Sequence, residues 1–398
     1  MRDGWELKTL SDVSDVRDGT HDSPKYQEEG YALITSKNLK NGKLTYDKIK
    51  YISEEDYTNI NKRSKVDIGD ILFAMIGTIG NPVIIEKEPN YAIKNVALFK
   101  VYDDYDSSFI KYYFDSAYVI EKMQSEAKGT TQKFVGLGYL RKFPIVVPPL
   151  PEQKQIVITL DKAFKQIDQA KANLEKNLNN AKELFQSKLN EVFSQKGEGW
   201  EEKTLNDTCI VERGSSPRPI KSFITEDEDG VNWIKIGDTK GIEKYIYKTN
   251  QKITKKGAEK SRFVDIGDFI LSNSMSFGRP YIMKTEGYIH DGWFVFRLPE
   301  NIDAEFFWYL LVSPNIKEQF QGLASGAIVK NISGDLVKKT ILSIPLIKTQ
   351  KEIVKELDKF SQLSNELQTH YQQKLNNLEE LKKSILQKAF KGELCVDK

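Results

Sequence analysis

Paired acidic and basic side chains are the first residues of this chain whose spacing could support catalysis. Glu6 and Lys8 have the Glu-x-Lys spacing that nucleases use, and Glu201 and Lys203 repeat it. A nuclease also needs an Asp at a fixed strand position to complete its metal site. Because no such Asp accompanies either pair, we interpret both pairs as surface residues.

Two further enzyme signatures are missing. No Gly-rich turn is followed by Lys and Ser or Thr, as a nucleotide phosphate loop requires, so residues 77–80 are predicted to form a tight turn between strands. An amino-methyltransferase would need Asn or Asp before Pro-Pro and an aromatic residue, whereas the only Pro-Pro, at 148–149, follows Val147. We therefore predict no catalytic residue in this chain.

The histidines and cysteines do not form a metal or disulfide framework. The three histidines stand far apart with no Cys or His at ligand spacing, so no metal site is predicted. Two cysteines fit a reducing compartment, and the most apolar run, at 306–312, is far too short to span a bilayer. We expect a cytoplasmic protein with no membrane partner and no cofactor of its own.

Binding features are richer than catalytic ones. Residues 235–262 carry nine Lys or Arg against three acidic residues, with Tyr245 and Tyr247 between them, and residues 37–50 are also Lys-rich. Such a stripe can neutralise DNA phosphates, although a Lys-rich loop is more often a solvated face. Because the net charge is only +2, any affinity for nucleic acid must come from this local arrangement.

Three loop regions carry side chains that can read base edges. Residues 17–26 match 212–221, residues 129–133 match 325–331, and residues 36–43 lie near the basic segment. These residue types read bases directly but also form ordinary turns. The matching loops differ in content while the framework around them repeats, as expected for two readers of different sequences. The candidate DNA contacts are Thr20, His21, Ser23, Lys25, Tyr26, Lys37, Asn38, Lys43, Thr130, Thr131, Gln132, Lys133, Arg213, Ser215, Ser216, Arg218, Lys221, Lys240, Lys244, Asn273, Ser274, Arg279, Lys330 and Asn331.

The chain is written as two copies of one plan. Three segments recur in the same order: GWELKTL (4–10) as GWEEKTL (199–205), VDIGDILFAMIGTIGNP (66–82) as VDIGDFILSNSMSFGRP (264–280), and QKQIVITLDK (153–162) as QKEIVKELDK (350–359). At 398 residues the chain exceeds what one core usually organises. The repeat therefore predicts a duplicated domain with a duplicated helix.

Each copy begins as a mixed α and β domain. Short β-branched and aromatic runs alternate with Gly, Asn, Asp and Pro, and helical patterns interrupt them at 107–126 and 303–320. The predicted fold is α+β. Two mixed α/β domains are joined by two long antiparallel helices, with an internal pseudo-twofold repeat. The predicted boundaries are a first domain at 1–150, a first long helix at 151–197, a second domain at 198–346 and a second long helix at 347–398.

Each copy ends in a long amphipathic segment. Helices of about 44 residues would be roughly 65 Å long, more than a domain of this size can cover, so we expect them to pair with each other as an antiparallel coiled coil. The two domains would then lie at opposite ends of a rod. The residues predicted to pair the helices are Leu160, Phe164, Ile167, Leu174, Leu178, Phe185, Leu357, Leu367, Leu375, Leu378 and Ile385.

These motifs together resemble the specificity subunits of type I restriction-modification systems over essentially the whole chain. The hallmarks are the GWE-x-KTL opening, the GDIL and GTIG segments, and GTTQKFVGLGYLRKFPIVVPPLPEQKQIV (129–157) leading into a helix, all duplicated. The second copy departs at 347–349, where it lacks the doubled proline and the Pro-Glu-Gln.

The resemblance implies a non-catalytic subunit in which each domain reads one half of a bipartite, asymmetric double-stranded DNA site. It also implies that the helices set the spacer and dock two modification subunits, which would bind S-adenosylmethionine, while restriction and translocation subunits join the complex. Two domains on one rod would meet successive major grooves roughly 34 Å apart. Two alternatives stay open: a fused restriction or methyltransferase enzyme with its own recognition domains, and a coiled-coil assembly scaffold.

Overall fold

The computed structural model describes residues 2–129, 133–273, 278–323 and 334–394, without the side chains of 321–323. The chain divides into two compact units. Unit 1 comprises Met1–Glu175 with Gln373–Lys398, and unit 2 comprises Lys176–Gln372. Each unit therefore combines one domain with parts of both long helices.

The elements of unit 1 alternate short strands with short helices. They are β1 (Glu6–Thr9), α1 (Leu10–Val13), β2 (Ser14–Asp18), β3 (Tyr31–Thr35), β4 (Leu39–Lys40), β5 (Lys43–Leu44), β6 (Lys50–Ile52), α2 (Glu54–Ser64), β7 (Ile71–Ala74), β8 (Gly80–Ile84), β9 (Tyr91–Lys94), β10 (Val96–Val101), α3 (Ser107–Asp115), α4 (Ala117–Glu126), α5 (Leu137–Lys142), β11 (Pro144–Val147) and the first part of α6 (Leu150–Ser194).

Unit 2 follows the same plan. Its elements are β12 (Glu201–Thr204), α7 (Leu205–Thr208), β13 (Ile210–Arg213), β14 (Ile224–Thr225), β15 (Val231–Ile234), β16 (Tyr245–Ile246), β17 (Gln251–Ile253), α8 (Lys255–Ala258), β18 (Arg262–Val264), β19 (Phe269–Ser272), β20 (Pro280–Met283), β21 (Gly287–Ile289), β22 (Trp293–Arg297), α9 (Ala304–Val312), α10 (Pro314–Leu323), α11 (Gly334–Lys338), β23 (Ile341–Ile344) and the first part of α12 (Ile347–Lys391).

The sheet topology repeats along with the sequence. In unit 1 the strand orders are β1-β11, β2-β10-β7-β8, β6-β3-β9 and β4-β5. In unit 2 they are β12-β23, β13-β22-β19-β20-β16 and β14-β17-β15-β21-β18, so the first three unit 1 orders recur, two of them with strands added at the sheet edges. The repeated opening forms β1 and β12, and each pairs antiparallel with the last strand of its domain. The predicted α+β fold with an internal repeat is confirmed.

The core of each unit is built from aromatic residues on the repeated strands and helices. In unit 1 the ring of Phe114 lies 5.1 Å from that of Phe73 and 4.8 Å from that of Phe99. In unit 2 the Phe307 ring lies 5.1 Å from Phe269. Because fully burying one such side chain contributes roughly 1.5–3 kcal/mol, these clusters hold the sheets against the helices.

The helices predicted at 107–126 and 303–320 are each divided in two. Ser116 separates α3 from α4 with an extended backbone (φ −68°, ψ 142°), and Ser313 separates α9 from α10 in the same way. The Ser116 hydroxyl donates to the Tyr113 carbonyl at 2.6 Å, which offers that carbonyl a partner outside the helix. The apolar pattern continues through both serines, so periodicity alone predicted single helices.

The two long helices pack antiparallel within unit 1. The Lys171 ammonium lies 2.6 Å from Glu379 Oε1, and the Lys382 ammonium lies 3.5 Å from Asp168 Oδ1. The earlier residue of α6 thus pairs with the later residue of α12, so the two helices run antiparallel. The Lys382 ammonium also lies 4.8 Å from the centroid of the Phe164 ring, beside the apolar seam.

Unit 2 repeats this antiparallel packing with different contacts. The Ser364 hydroxyl donates to the Ala181 carbonyl at 2.7 Å, and the Lys188 ammonium lies 2.8 Å from Glu356 Oε1. The residues predicted to pair the helices are buried at Leu160, Phe164, Ile167, Leu357 and Leu375, and half-buried at Leu174, Leu178, Phe185, Leu367, Leu378 and Ile385.

The buried thiol of Cys209 gives a direct test of how the hydrophobic core of unit 2 packs. Burial raises the pKa of the Cys209 thiol to about 12, so at pH 8 only about one thiol in ten thousand is the reactive thiolate. In a Cys395→Ser variant, we expect Cys209 to react with a thiol reagent at least 100-fold faster after unfolding than in the native protein. Reaction kinetics at pH 8 with and without denaturant measure this ratio; rapid stoichiometric labelling of the native chain would contradict the packing.

Candidate nucleic-acid interface

The two main candidate loops leave the same place on the repeated framework. The Gly19 N–H follows β2 and donates to the Val96 carbonyl at 2.9 Å, and the Gly214 N–H follows β13 and donates to the Trp293 carbonyl at 2.8 Å. A Cβ on Gly19 would lie 2.2 Å from the Ile93 carbonyl oxygen, and the same clash would occur at Gly214. Only glycine permits this approach. Each loop therefore begins against the equivalent strand of its own unit, β9 in unit 1 and the end of β21 in unit 2.

In unit 1 the loop is fixed around a buried carboxylate. Asp18 is 6% exposed, pairs with the guanidinium of Arg63, and has its Oδ2 at 2.9 Å from His21 Nε2. The other ring nitrogen of His21 lies 2.8 Å from Asn95 Oδ1. The imidazole is therefore held between two elements, while more than half of its surface faces solvent.

Two lysines support the rest of the same loop. The Lys94 ammonium donates to the Ser23 hydroxyl at 2.5 Å, and the Lys50 ammonium lies 4.0 Å from the centroid of the Tyr26 ring. Lys25 is exposed between them. This arrangement presents hydroxyl, aromatic and ammonium groups on one surface, the mixture that contacts phosphates and bases.

The neighbouring loop of unit 1 divides its candidates between surface and interior. Lys37 and Lys43 are exposed, whereas Asn38 is buried. The Asn38 Oδ1 accepts from the Thr35 N–H at 3.0 Å, and its Nδ2 donates to the Thr45 carbonyl at 3.0 Å. The amide of Asn38 is therefore engaged in shaping the loop from inside.

In unit 2 Asp291 is the centre of the corresponding surface. Its Oδ1 accepts from the Ser216 hydroxyl at 2.7 Å, and its Oδ2 lies 3.6 Å from Arg218 Nη2. Its carbonyl accepts from Arg213 Nε at 3.2 Å and from Asn273 Nδ2 at 3.1 Å. The hydrogen bond from Ser216 lowers the pKa of Asp291 below its ordinary value, so the carboxylate is ionised at neutral pH.

Two candidates of unit 2, Asn273 and Lys244, have largely buried side chains. Asn273 is 3% exposed and holds the Asp291 carbonyl, so it supports the surface from inside. The Lys244 ammonium pairs with Glu305, and it also lies 4.5 Å from the centroid of the Trp308 ring, with the side chain 15% exposed. The charge of Lys244 is therefore balanced by a carboxylate of its own unit.

The remaining candidates differ in accessibility. Ser215 donates to the Lys260 carbonyl at 3.1 Å, while the side chains of Lys133, Lys221, Lys240 and Arg279 are exposed. Six candidates lie outside the described residues: Thr130, Thr131, Gln132, Ser274, Lys330 and Asn331.

Sequence reasoning missed the residues that hold these loops. Asn95 and Asp291 each lie just after the strand that faces the loop glycine, and Arg63 comes from the end of α2. None of them belongs to a Lys-rich or loop-tip motif. The useful signal would have been the close approach of β2 to β9, and of β13 to β21. That approach places Asn95, after β9, and Asp291, after β21, beside the loops that follow β2 and β13.

In both Glu-x-Lys pairs the two side chains form an ion pair with each other. The Lys8 ammonium lies 2.9 Å from Glu6, and the Lys203 ammonium lies 2.6 Å from Glu201, each pair at the surface of its own strand. Among the described ranges, no group of three or more His, Cys, Asp or Glu side chains could hold a metal ion. Across those same ranges no helix is both long and apolar enough to cross a membrane.

A comparison with known families decides what this framework is. The sequence profile of the type I restriction modification DNA specificity domain matches residues 2–180 and matches again over 197–377. The chain belongs to this family. Each match begins ahead of the first strand of a domain and ends within a long helix, so the two specificity domains coincide with the two copies of the repeat.

Individual relatives match along nearly the whole length of this chain. It is similar to the EcoKI specificity subunit of Escherichia coli K12, with 22% identity, covering 99% of this chain and 90% of that one. It is also similar to the MjaVIII specificity subunit of Methanocaldococcus jannaschii, with 24% identity, covering 98% and 93%.

Solved structures share the fold. A structure from work on complex assembly and conformational transition of a type I restriction-modification system matches with a TM-score of 0.79 and 18% identity, covering 99% of both chains. The HsdS subunit from Thermoanaerobacter tengcongensis matches with a TM-score of 0.61 and 18% identity, covering 98% of both.

Proposed function

We propose that this chain is the non-catalytic DNA-specificity subunit of a type I restriction-modification complex, with each unit reading one half of a bipartite DNA site. The observation that carries the proposal is a repeated framework with different loops. Where unit 1 presents His21, Ser23 and Tyr26, the corresponding loop of unit 2 presents Ser216 and Arg218. Different donors and acceptors on one framework are what reading two different half-sites requires.

The exposed lysines and arginines would supply the phosphate contacts. Lys25, Lys37 and Lys43 in unit 1, and Lys221 and Lys240 in unit 2, are exposed cations near the loops in sequence. Each phosphate contact releases counterions, so the affinity of the complex for DNA should fall steeply with salt. The side chains fixed by Asp18 and Asp291 would read base edges.

The long helices would set the distance between the half-sites and dock two modification subunits. These partners would bind S-adenosylmethionine and methylate adenine, and restriction and translocation subunits would complete the assembly. The specificity chain itself would contribute DNA recognition and no chemistry.

A binding experiment separates this proposal from its alternatives. The isolated chain should show no stoichiometric binding of S-adenosylmethionine in calorimetry, and the complex with its modification subunit should bind DNA in a salt-dependent manner. Tight S-adenosylmethionine binding by the isolated chain would favour a fused enzyme. A complex without salt-dependent DNA affinity would favour an assembly scaffold.

Removing the Asp291 carboxylate should impair one half-site selectively. Asp291→Ala deletes the acceptor for Ser216 and the partner of Arg218, two contacts together worth about 1–3 kcal/mol. We therefore expect a loss of affinity for the specific site of roughly 5- to 150-fold as the loop loses its fixed conformation. Affinity for unrelated DNA should not fall, since the variant removes a negative charge. Fluorescence anisotropy of the complex on DNA substituted in each half-site measures both effects.

Asp227→Ala is the matched control. Asp227 also accepts from a hydroxyl, that of Thr225 at 2.7 Å, but it belongs to a different exposed loop of unit 2. The control should leave base discrimination in both half-sites unchanged. Equal loss of discrimination in both half-sites with Asp291→Ala would contradict the assignment of one half-site to unit 2.

A further inference from the structure

Each long helix begins with a buried glutamine that binds the domain beside it. Gln153 and Gln350 are both 1% exposed. The Gln153 Oε1 accepts from the Asp106 N–H at 2.9 Å, and its Nε2 donates to the Pro148 carbonyl at 2.8 Å. Gln350 makes the same two bonds, to the Asp303 N–H at 2.8 Å and to the Pro345 carbonyl at 2.9 Å.

A second contact follows two turns further along each helix. In unit 1 the Tyr112 hydroxyl donates to Asp161 Oδ1, and in unit 2 the Tyr309 hydroxyl donates to Asp358 Oδ1 at 2.6 Å. The glutamine and the aspartate are eight residues apart, about 12 Å along the helix axis.

Both contacts on the domain side come from one short helix. Asp106 caps α3 by accepting from the Phe109 N–H at 3.0 Å, and Tyr112 lies on α3 itself. In unit 2 Asp303 caps α9 in the same manner, and α9 carries Tyr309. We call each set a helix clasp: the Gln153 bonds with Tyr112–Asp161 in unit 1, and the Gln350 bonds with Tyr309–Asp358 in unit 2.

Two contacts separated along the helix fix its angle to the domain, which a single contact does not. A single hydrogen bond leaves a helix free to pivot about it, whereas contacts about 12 Å apart along the axis resist tilting against the domain helix. The burial of the glutamine strengthens this constraint, because moving the helix would leave polar groups unpaired in the interior.

The clasp is repeated although adjacent side chains are not. The residue before Tyr112 is Lys111, which pairs with Asp115, whereas the residue before Tyr309 is Trp308, which contacts Lys244. The two copies have thus diverged directly beside the clasp while its glutamine, tyrosine and aspartate match in type and bonding.

We propose that the two helix clasps are positioning devices that restrict the complex to one spacer length. The inference rests on the proposed function, since spacer length has meaning only if both units bind the same DNA site. Fixing the angle between each domain and its own helix converts helix length into a defined half-site separation. Loosening the clasps should leave the bases that are read unchanged and broaden the spacers that are accepted.

The test uses the complex of the full chain with its modification subunit. Tyr112→Phe and Tyr309→Phe are combined, and adenine methylation is measured on plasmids that carry the same half-sites with spacers from two base pairs shorter to two longer than the natural one. We expect methylation at the incorrect spacers, relative to the natural spacer, to rise at least tenfold, with unchanged base preferences. An unchanged ratio, with or without loss of total activity, would overturn the inference.

Two controls distinguish positioning from stability. In the chain with its natural tyrosines, Asp161→Asn with Asp358→Asn keeps an oxygen acceptor for each hydroxyl and should keep the narrow spacer preference. Tyr118→Phe removes an exposed hydroxyl outside the clasp and should change nothing. If the combined variant unfolds, Tyr112→Phe and Tyr309→Phe made singly give the same comparison. Absence of chain-dependent methylation by the natural complex would instead reject the proposed function and the inference with it.

Discussion

Exchanging residues 199–346 for the corresponding domain of another specificity subunit is expected to replace one half of the methylated DNA motif and leave the other half unchanged. The exchanged segment includes both β12 and β23, which pair with each other, so the new domain brings its own closing strands. It also includes the loop around Asp291, while the unit 1 loop around Asp18 stays in place. Sequencing that detects methylated adenine, applied to cells carrying the hybrid, reads both half-sites directly.

The reciprocal exchange is the control for this prediction. Replacing residues 4–147, which include β1 and β11, should change the other half of the motif and leave the first unchanged. The spacer should stay the same in both hybrids, because the long helices are untouched and the incoming domains are chosen to carry the Asp and Tyr of the helix clasp. A change in both half-sites from either single exchange would show that the domains do not read DNA independently.

Lengthening both long helices by four residues is expected to lengthen the accepted spacer by about two base pairs. Four helical residues advance roughly 6 Å, close to twice the rise of roughly 3.4 Å per base pair. The insertions belong between Glu175 and Lys176 and between Gln372 and Gln373, where the two units divide, so contacts within each unit are kept. The measurement is the spacer of the motif methylated by the complex.

A variant of constant length controls for altered helix surface. Glu175, Lys176 and Asn177 are exposed, and replacing them by alanine changes the helix surface at that point without changing its length. The spacer should then remain at its natural value. If the lengthened chain methylated only the natural spacer, the helices would not set the half-site distance.

The elements with strong periodicity could be predicted from the sequence. The long helices follow from apolar residues such as Leu160, Phe164 and Ile167 at alternating three- and four-residue spacing, a pattern that only a helix places on one face. The strands β7 and β10 follow from short apolar runs between turn residues. Duplication strengthened both predictions, because each pattern occurs twice in the same order.

The residues of the candidate site were harder to predict from the sequence, because residue type alone does not show whether a side chain lies at the surface or in the interior. Lys244 lies in the most basic segment of the chain, yet its charge is paired with Glu305 beside Trp308, which comes more than sixty residues later. Asn38 and Asn273 have the residue type that reads adenine, but both are buried and hydrogen bonded. The partners of Lys244 and Asn273 are distant in sequence, so their roles emerge only with the folded structure. Asn38 is instead engaged locally, by Thr35 and Thr45.

The most direct test of the account is an adenine-methylation map of cells that carry this gene with its modification partner, compared with cells lacking this gene alone. We expect a two-part motif, separated by a fixed number of unspecified bases, that is methylated in the first strain and unmethylated in the second. Identical maps in the two strains, with the modification subunit shown to be expressed, would contradict the assignment of DNA specificity to this chain.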